Sequence, residues 1–217
     1  MPDSLGKGRV FLHYLIVKVM NLFYSLILPF LAFFQGFEMD QPVKTEGPVT
    51  WIGIDYTKAK FVGAAGFTDA EELPKYLLAW NDFVITEPDK YDVKKALGVP
   101  SVTIDLAYTY ATNKEVDTKA MIQEEAYEIS QEQAEDVAKS YDLSKIEGTV
   151  ALLVAECYNK KVTKGSHWLV MIDAQSSEIL SAERFVEKPG GFGLRNYWAR
   201  TIYELLGSKE KEVRKNK

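Results

Sequence analysis

The chain's most continuous apolar pattern comes first. Val19–Phe37 runs for 19 positions without a charge and is rich in Leu, Phe, Ile and Met. That length lies between a spanning helix, roughly 20 residues, and the apolar core of a secretory signal, roughly 7–15. Pro29 near its middle suits a signal better than a continuous span. Met20 is an alternative start, which would make residues 1–19 an upstream extension. Cleavage after Gly36 would put Phe34 at −3, where a small residue is expected. The pattern predicts an exported protein, periplasmic or envelope-associated, with a cleaved signal favoured over an uncleaved anchor.

Beyond it the pattern changes to that of a folded domain. Glu38–Pro48, with Asp40, Pro42, Gly47 and Pro48, reads as a polar linker. Val49–Gly63 is β-rich and predicts a first strand. Thr68-Asp69 offers a helix cap before the apolar stripe Leu73, Leu77, Leu78 and Trp80, which continues to Val84; Pro74 falls early enough to be tolerated. A short helix is predicted over Asp89–Leu97, stopped by Gly98 and Pro100. Ser101–Thr112 alternates through Val102, Ile104, Leu106, Tyr108 and Tyr110, the period of a strand. Ser130 with Gln133 three residues on predicts a capping box opening a helix to Tyr141.

The last third contains three β-rich runs, Thr149–Tyr158, His167–Asp173 and Glu178–Glu187, separated by hairpin-like loops. Val150–Ala155 is apolar throughout, as expected of a strand covered on both faces. Pro189-Gly190-Gly191 breaks the meander, and a helix follows to Gly207, leaving Ser208–Lys217 as a charged, frayed tail. The expectation is an α/β (α+β) domain over residues 49–207. Its order is β-α-α-β-α-β-β-β-α, with a mixed, largely antiparallel sheet of about five strands packed with helices.

This order resembles the mixed α/β domain of bacterial envelope proteins, such as the amino-terminal domain of TolB and the periplasmic domain of the curli-secretion lipoprotein. The local echo is Trp168-Leu-Val-Met-Ile-Asp-Ala-Gln-Ser-Ser-Glu-Ile-Leu180, a strand ending in Asp that turns and returns as Glu-Ile-Leu. It extends over Thr149–Leu206. The resemblance departs at Ser176-Ser177, which replace the usual Gly, and in the lipobox cysteine, which is missing. It implies an exported protein of the Gram-negative type and transfers no functional residue.

Charge narrows the partners. The chain holds 31 acidic and 26 basic residues, and only Asp3 is acidic before Glu38, against Lys7, Arg9 and Lys18. The remainder carries 30 acids and 23 bases, a net charge of −7. An acidic domain without a basic stripe excludes nucleic acid as a partner, because phosphate neutralisation needs clustered Lys and Arg. Membrane contact is expected only through the N-terminal segment. Cys157 is the only cysteine, so no intrachain disulfide forms, and the absence of a lipobox predicts that the protein is not a lipoprotein. Within Val150–Tyr158 that thiol reads as a small core hydrophobe.

Candidate chemistry is sparse. His13 and His167 are the only histidines, and HExxH is absent, so neither a metal nor a cofactor is expected. His167 reads as a turn or surface residue. No GxSxG elbow supports a serine triad. Asp55, Asp105 and Asp173 stand in or at the ends of predicted strands, where a carboxylate can bind metal or act as acid or base, though more often it caps a turn. Asp105 interrupts a strand between Ile104 and Leu106.

The most unusual segment is Lys188-Pro-Gly-Gly-Phe-Gly-Leu-Arg-Asn-Tyr-Trp198. Gly190, Gly191 and Gly193 lead into a helix, whose free N–H groups together with Arg195 could face an anion. Their spacing matches neither the P-loop nor the dinucleotide fingerprint, and a turn needing permissive backbone is the favoured explanation. Phe192, Tyr197 and Trp198 form an alternative aromatic contact surface for a partner. The function expected is a non-enzymatic envelope protein that binds another protein or an envelope component. The alternative is a small-ligand or hydrolytic enzyme using strand-end carboxylates.

Overall fold

The computed structural model describes residues 47–67 and 70–216. The apolar segment Val19–Phe37, nearly all of the linker Glu38–Pro48 and the cap expected at Thr68-Asp69 lie outside the described residues. In chain order the strands are β1 (Val49–Asp55), β2 (Lys60–Val62), β3 (Val102–Ile104), β4 (Ile122–Gln123), β5 (Thr149–Asn159), β6 (Lys164–Asp173) and β7 (Ile179–Glu187). The helices are α1 (Leu73–Thr86), α2 (Val93–Leu97), α3 (Ala107–Asn113), α4 (Gln131–Lys139) and α5 (Leu194–Lys215).

The sheet corrects the expected class. It has seven strands among the described residues and is mostly parallel: β1–β3, β1–β5, β2–β5 and β2–β4 pair parallel, while only β5–β6 and β6–β7 are antiparallel. The hairpins of the last third are local and leave a sequence signature. The parallel ladders join segments tens of residues apart and leave none beyond the long helical crossovers between them.

β5 is the centre. One edge pairs with β6 along its whole length; the other takes β1 at Thr149–Val154 and β2 at Cys157–Asn159. Its side chains divide between two cores. Ala151, Leu153, Ala155 and Tyr158 face α1, α2 and α5, whereas Val150, Leu152 and Val154 face α4. The step from Ala155 to Tyr158 is three residues, so the parity slips once. The slip is a bulge at Glu156, which no residue of β6 opposes. Glu156 is fully buried there, and its carboxylate accepts two hydrogen bonds from Arg184 at 2.8 Å each. It also accepts one from the Ile129 N–H at 3.3 Å, just before α4.

β1 carries a matching bulge at Ile52. Trp51 and Ile54 enter the first core, Ile52 the second, and Gly53 between them has φ 107°. β3 covers only the first part of β1, so the unpaired edge beyond it must be satisfied by side chains. Asn81 of α1 accepts from the Ile54 N–H at 3.1 Å, and Thr109 of α3 donates to the Ile52 carbonyl at 2.7 Å. Asn113 donates to the Ile54 carbonyl at 2.7 Å and accepts from the Tyr56 N–H at 2.9 Å.

That requirement explains the second correction. The run Ser101–Thr112 is not one strand: β3 ends at Ile104 and α3 begins at Ala107. Leu106, Thr109 and Asn113 recur at helical spacing, but two of them are polar, so hydrophobic periodicity misses the helix. Val49–Gly63 likewise divides into β1 and β2 around Tyr56–Ala59. α2 begins at Val93, where the Asp92 carboxylate accepts from the Lys95 N–H, and ends on Gly98 at φ 67°. α4 has the expected Ser130–Gln133 capping box.

The third correction concerns the end of the chain. α5 does not stop at Gly207 but continues to Lys215, because its last turns are docked rather than frayed. Ser208 donates to Glu187 at 2.8 Å, buried Lys209 pairs with Glu183, and Lys95 of α2 lies 3.4 Å from Glu210. His167 is the fourth. It is fully buried, 3.3 Å from the Tyr158 hydroxyl, rather than at a turn or on the surface. Cys157 is buried as expected, and burial pushes its thiol up to about 12.

Two predictions test this framework. A Cβ at Gly53 would lie 2.3 Å from Thr109 Oγ1 and 2.4 Å from Asn81 Oδ1, at a backbone angle that side chains disfavour. Gly53→Ala should therefore cost about 3 kcal/mol or more in urea unfolding. Burial holds His167 neutral by lowering its pKa to about 3. Its contribution is complete above the unfolded value near 6.5. It is lost as pH falls toward 3, at about 1.4 kcal/mol per unit. His167→Gln should make the stability profile between pH 6 and 4 shallower than that of the parent protein; parallel profiles would contradict this account.

Candidate functional site

The junction of β7 and α5 collects most of the residues singled out in the sequence. Pro189 has no N–H to offer the sheet, so β7 closes at Glu187. Gly191 at φ 103° and Gly193 at φ 78° then turn the chain into α5. The turn is fixed by its own backbone. Gly190 N–H donates to the Tyr197 carbonyl, and Tyr197 N–H to that of Gly193, both at 2.9 Å. The Asn196 side chain donates to the Phe192 carbonyl at 3.3 Å.

This arrangement sorts the candidates sharply. Trp198 is fully buried, stacked on Phe67 at 5.8 Å and edge-on to Tyr158 at 5.4 Å. It is a core anchor and no contact surface. Arg195 is tied to α1: its carbonyl accepts from Trp80 Nε1 at 2.8 Å and its guanidinium lies over Phe83 at 4.4 Å. Glu87 stands 3.6 Å from that guanidinium, so Arg195 is engaged within the protein. Tyr197 is half-buried beneath Lys160 Nζ, 3.9 Å from its ring centre. Phe192 is left outside, 95% exposed. Beside it lies a hollow of about 520 Å³ lined by Lys90, Gly190, Gly191, Arg200 and Tyr203.

Asp105 is not part of this junction. It follows the edge strand β3, across the sheet from β7. Its N–H donates to the Trp51 carbonyl at 3.0 Å and its carboxylate accepts from the Ala107 N–H at 3.2 Å, closing a turn just before α3. The other two strand-end carboxylates are engaged as well. Asp55 pairs with Val154 and Asp173 with Thr149, at opposite ends of the same β5 segment. Asp55, 1% exposed, accepts from the Thr57 N–H at 2.8 Å and from the Tyr141 hydroxyl. Burial, with the Asp55 charge next, raises the Tyr141 phenol well above its usual range. Asp173 accepts from the Ser176 N–H and hydroxyl, both at 2.8 Å, and these bonds lower its pKa. Each of the three carboxylates is thus already hydrogen-bonded within the fold.

A second concavity has no counterpart among the sequence candidates. A groove of about 490 Å³ lies between α1 and α3, lined mainly by Leu77, Leu78, Tyr110 and Val116, with Asn81 and Asn113 within it. Tyr110 donates to Asp82, and burial followed by that bond pushes its phenol up to about 12. The signal that could have led here is Gly53, a lone glycine inside a β-branched run, which marks a bulge whose freed backbone needs partners.

Exposure separates two neighbouring aromatics, and substitution should do the same. Phe192→Ser is expected to leave the thermal midpoint unchanged, whereas Trp198→Ala should cost about 3–5 kcal/mol. Calorimetry of the two variants checks both.

No protein-family model matches the chain, and no curated protein matches it. Among solved structures, the C-terminal domain of LpoB from Salmonella enterica is similar at 13% identity and a TM-score of 0.25, covering 67% of this chain and 85% of its own. The lipoprotein GNA1162 from Neisseria meningitidis is similar at 10% identity and a TM-score of 0.31, covering 77% and 96%.

Proposed function

We propose that this chain is a non-enzymatic cell-envelope protein whose α/β domain binds another protein or an envelope component through the Lys188–Arg195 turn. One observation carries the reading. Phe192 stands 95% exposed on a turn whose backbone is fixed on both sides of it. A large apolar side chain held in water by a rigid turn gains nothing for folding, and its burial by a partner recovers roughly 1.5–3 kcal/mol. The candidates Gly190, Gly191 and Gly193 act as the backbone of this display. Arg195 and Trp198 anchor it to the core, and Asp105 belongs to the fold alone. Export to the periplasm or envelope, a cleaved signal in preference to an anchor, and the absence of a lipid modification rest on the sequence of residues 1–37.

The binding reading is favoured over the carboxylate one because Asp55, Asp105 and Asp173 each already accept hydrogen bonds within the fold. A photo-crosslinking residue in place of Phe192 should form an adduct in the envelope. The same group in place of exposed Gln175, at the far end of the sheet, should not. Equal labelling at both positions, or none at 192, would overturn the proposal. Intact mass of the protein recovered from the same envelope fraction reads start site and cleavage together.

A further inference from the structure

Two loops with a shared composition meet at one end of the sheet. The hairpin between β5 and β6 reads Asn159-Lys-Lys-Val-Thr-Lys164, and the turn before α5 reads Lys188-Pro-Gly-Gly-Phe-Gly-Leu-Arg195. Neither contains an acid, and the acid-free stretches extend over 157–172 and 188–203, in a chain with 31 acidic residues. The fold brings them side by side. Gly165 pairs with Glu187, and Lys160 covers the Tyr197 ring at 3.9 Å. Gly165 also packs so closely on Thr201 that a Cβ there would lie 2.7 Å from its methyl group.

Each loop presents one apolar side chain at its tip, Val162 at 61% exposure and Phe192 at 95%. Thr163, beside the first, takes φ 56°, so this turn too is held in a specific shape. Lys160, Lys161, Lys164 and Lys188 are all exposed around the two tips. Lys161 is paired with Glu124, and Arg195 with Glu87. Among the described residues Lys160, Lys164 and Lys188 face no carboxylate within ion-pair distance.

We infer that this end of the domain docks on an anionic phospholipid surface, with Phe192 and Val162 entering the interface and the three unpaired lysines over the headgroups. The inference rests on reading the Lys188–Arg195 turn as the contact site, and it adds a membrane contact separate from the N-terminal segment. Lipid fits better than protein because the apolar groups are two projections on separate loops. A fluid interface accepts projections without a shaped counterpart, whereas a specific protein interface needs about 800 Å² of complementary surface on each side. The cations supply the second signal that one or two apolar side chains require to hold a surface.

The test uses the full chain carrying a single environment-sensitive fluorophore. Phe192→Cys provides the attachment point, with the apolar fluorophore standing in for the phenyl ring, and the native Cys157 is buried with a raised pKa, so it does not compete. Gln175→Cys is the control at the opposite end. On vesicles containing phosphatidylglycerol, the label at 192 should brighten and be quenched by lipid-borne nitroxide, while the label at 175 should not. Lys160→Ala, Lys164→Ala and Lys188→Ala should each reduce the docked fraction about fivefold, and Phe192→Ser should reduce it on the order of tenfold, followed by a label at Thr163→Cys. Equal signals on purely zwitterionic vesicles, or no quenching at 192 on anionic ones, would overturn the inference. A label at 192 that responds to an envelope protein fraction but not to lipid would overturn the lipid assignment alone. It would leave the non-enzymatic binding reading intact.

Discussion

β5 is the constraint on which the domain depends. It is the strand that joins the parallel part of the sheet to the antiparallel part, with β1 and β2 on one edge and β6 on the other. Its residues are shared between two cores, so any shift of register would exchange Ala151, Leu153 and Ala155 with Val150, Leu152 and Val154 across the sheet. The bulge at Glu156 ends that alternation at a defined place. Burying a carboxylate there is costly. The cost is offset by a bidentate guanidinium from β7 and a backbone N–H before α4, so one residue ties three elements.

The bulge in β1 sets the other half of the architecture. By releasing backbone groups at Ile52 and Ile54, it requires polar side chains at a buried edge, and α1 and α3 supply them. A groove containing asparagines at the boundary of two helices would ordinarily suggest ligand recognition. Here Asn81 already bonds both backbone groups of Ile54 and the Thr109 hydroxyl, and Asn113 bonds Ile54 and Tyr56. Their hydrogen-bonding capacity is committed to holding β1, and the groove offers a ligand mainly apolar wall.

Legibility in the sequence tracks the range of the interactions. Capping at Ser130, the stop at Gly98, the meander from β5 to β7 and the start of α5 are all governed by neighbours in sequence, and each is readable from it. The strand directions, the division of Val49–Gly63 and the helical state of Ala107–Asn113 depend on partners far along the chain. Gly207 misleads for the same reason. A glycine ends a helix only when nothing beyond it docks, and here Glu183, Glu187 and α2 hold the turns beyond Gly207 in place. Among the candidate residues, the glycines are legible because permissive backbone is written in the residue itself. Whether Trp198 or Phe192 faces solvent is not, since both are aromatics in one glycine-rich segment. His167 misleads in a similar way, because burial is decided by the elements that pack over a strand and not by the strand's own residues.

The contrast between those two aromatics also bears on how the turn could work. Trp198 and Arg195 fasten the first turn of α5 to Phe67, Tyr158 and α1, so the backbone that carries Phe192 is held before any partner arrives. A loop that must be ordered on binding loses about 0.5–1.5 kcal/mol for each side chain it immobilises. Here the glycines adopt their turn and the carbonyl of Phe192 is already bonded, so that loss falls mainly on the Phe192 side chain itself. The same rigidity removes the usual folding explanation for the residue. A flexible loop could fold an exposed phenylalanine back onto the surface, but a fixed turn that directs it into solvent cannot, and the apolar surface remains available to whatever meets that end of the sheet.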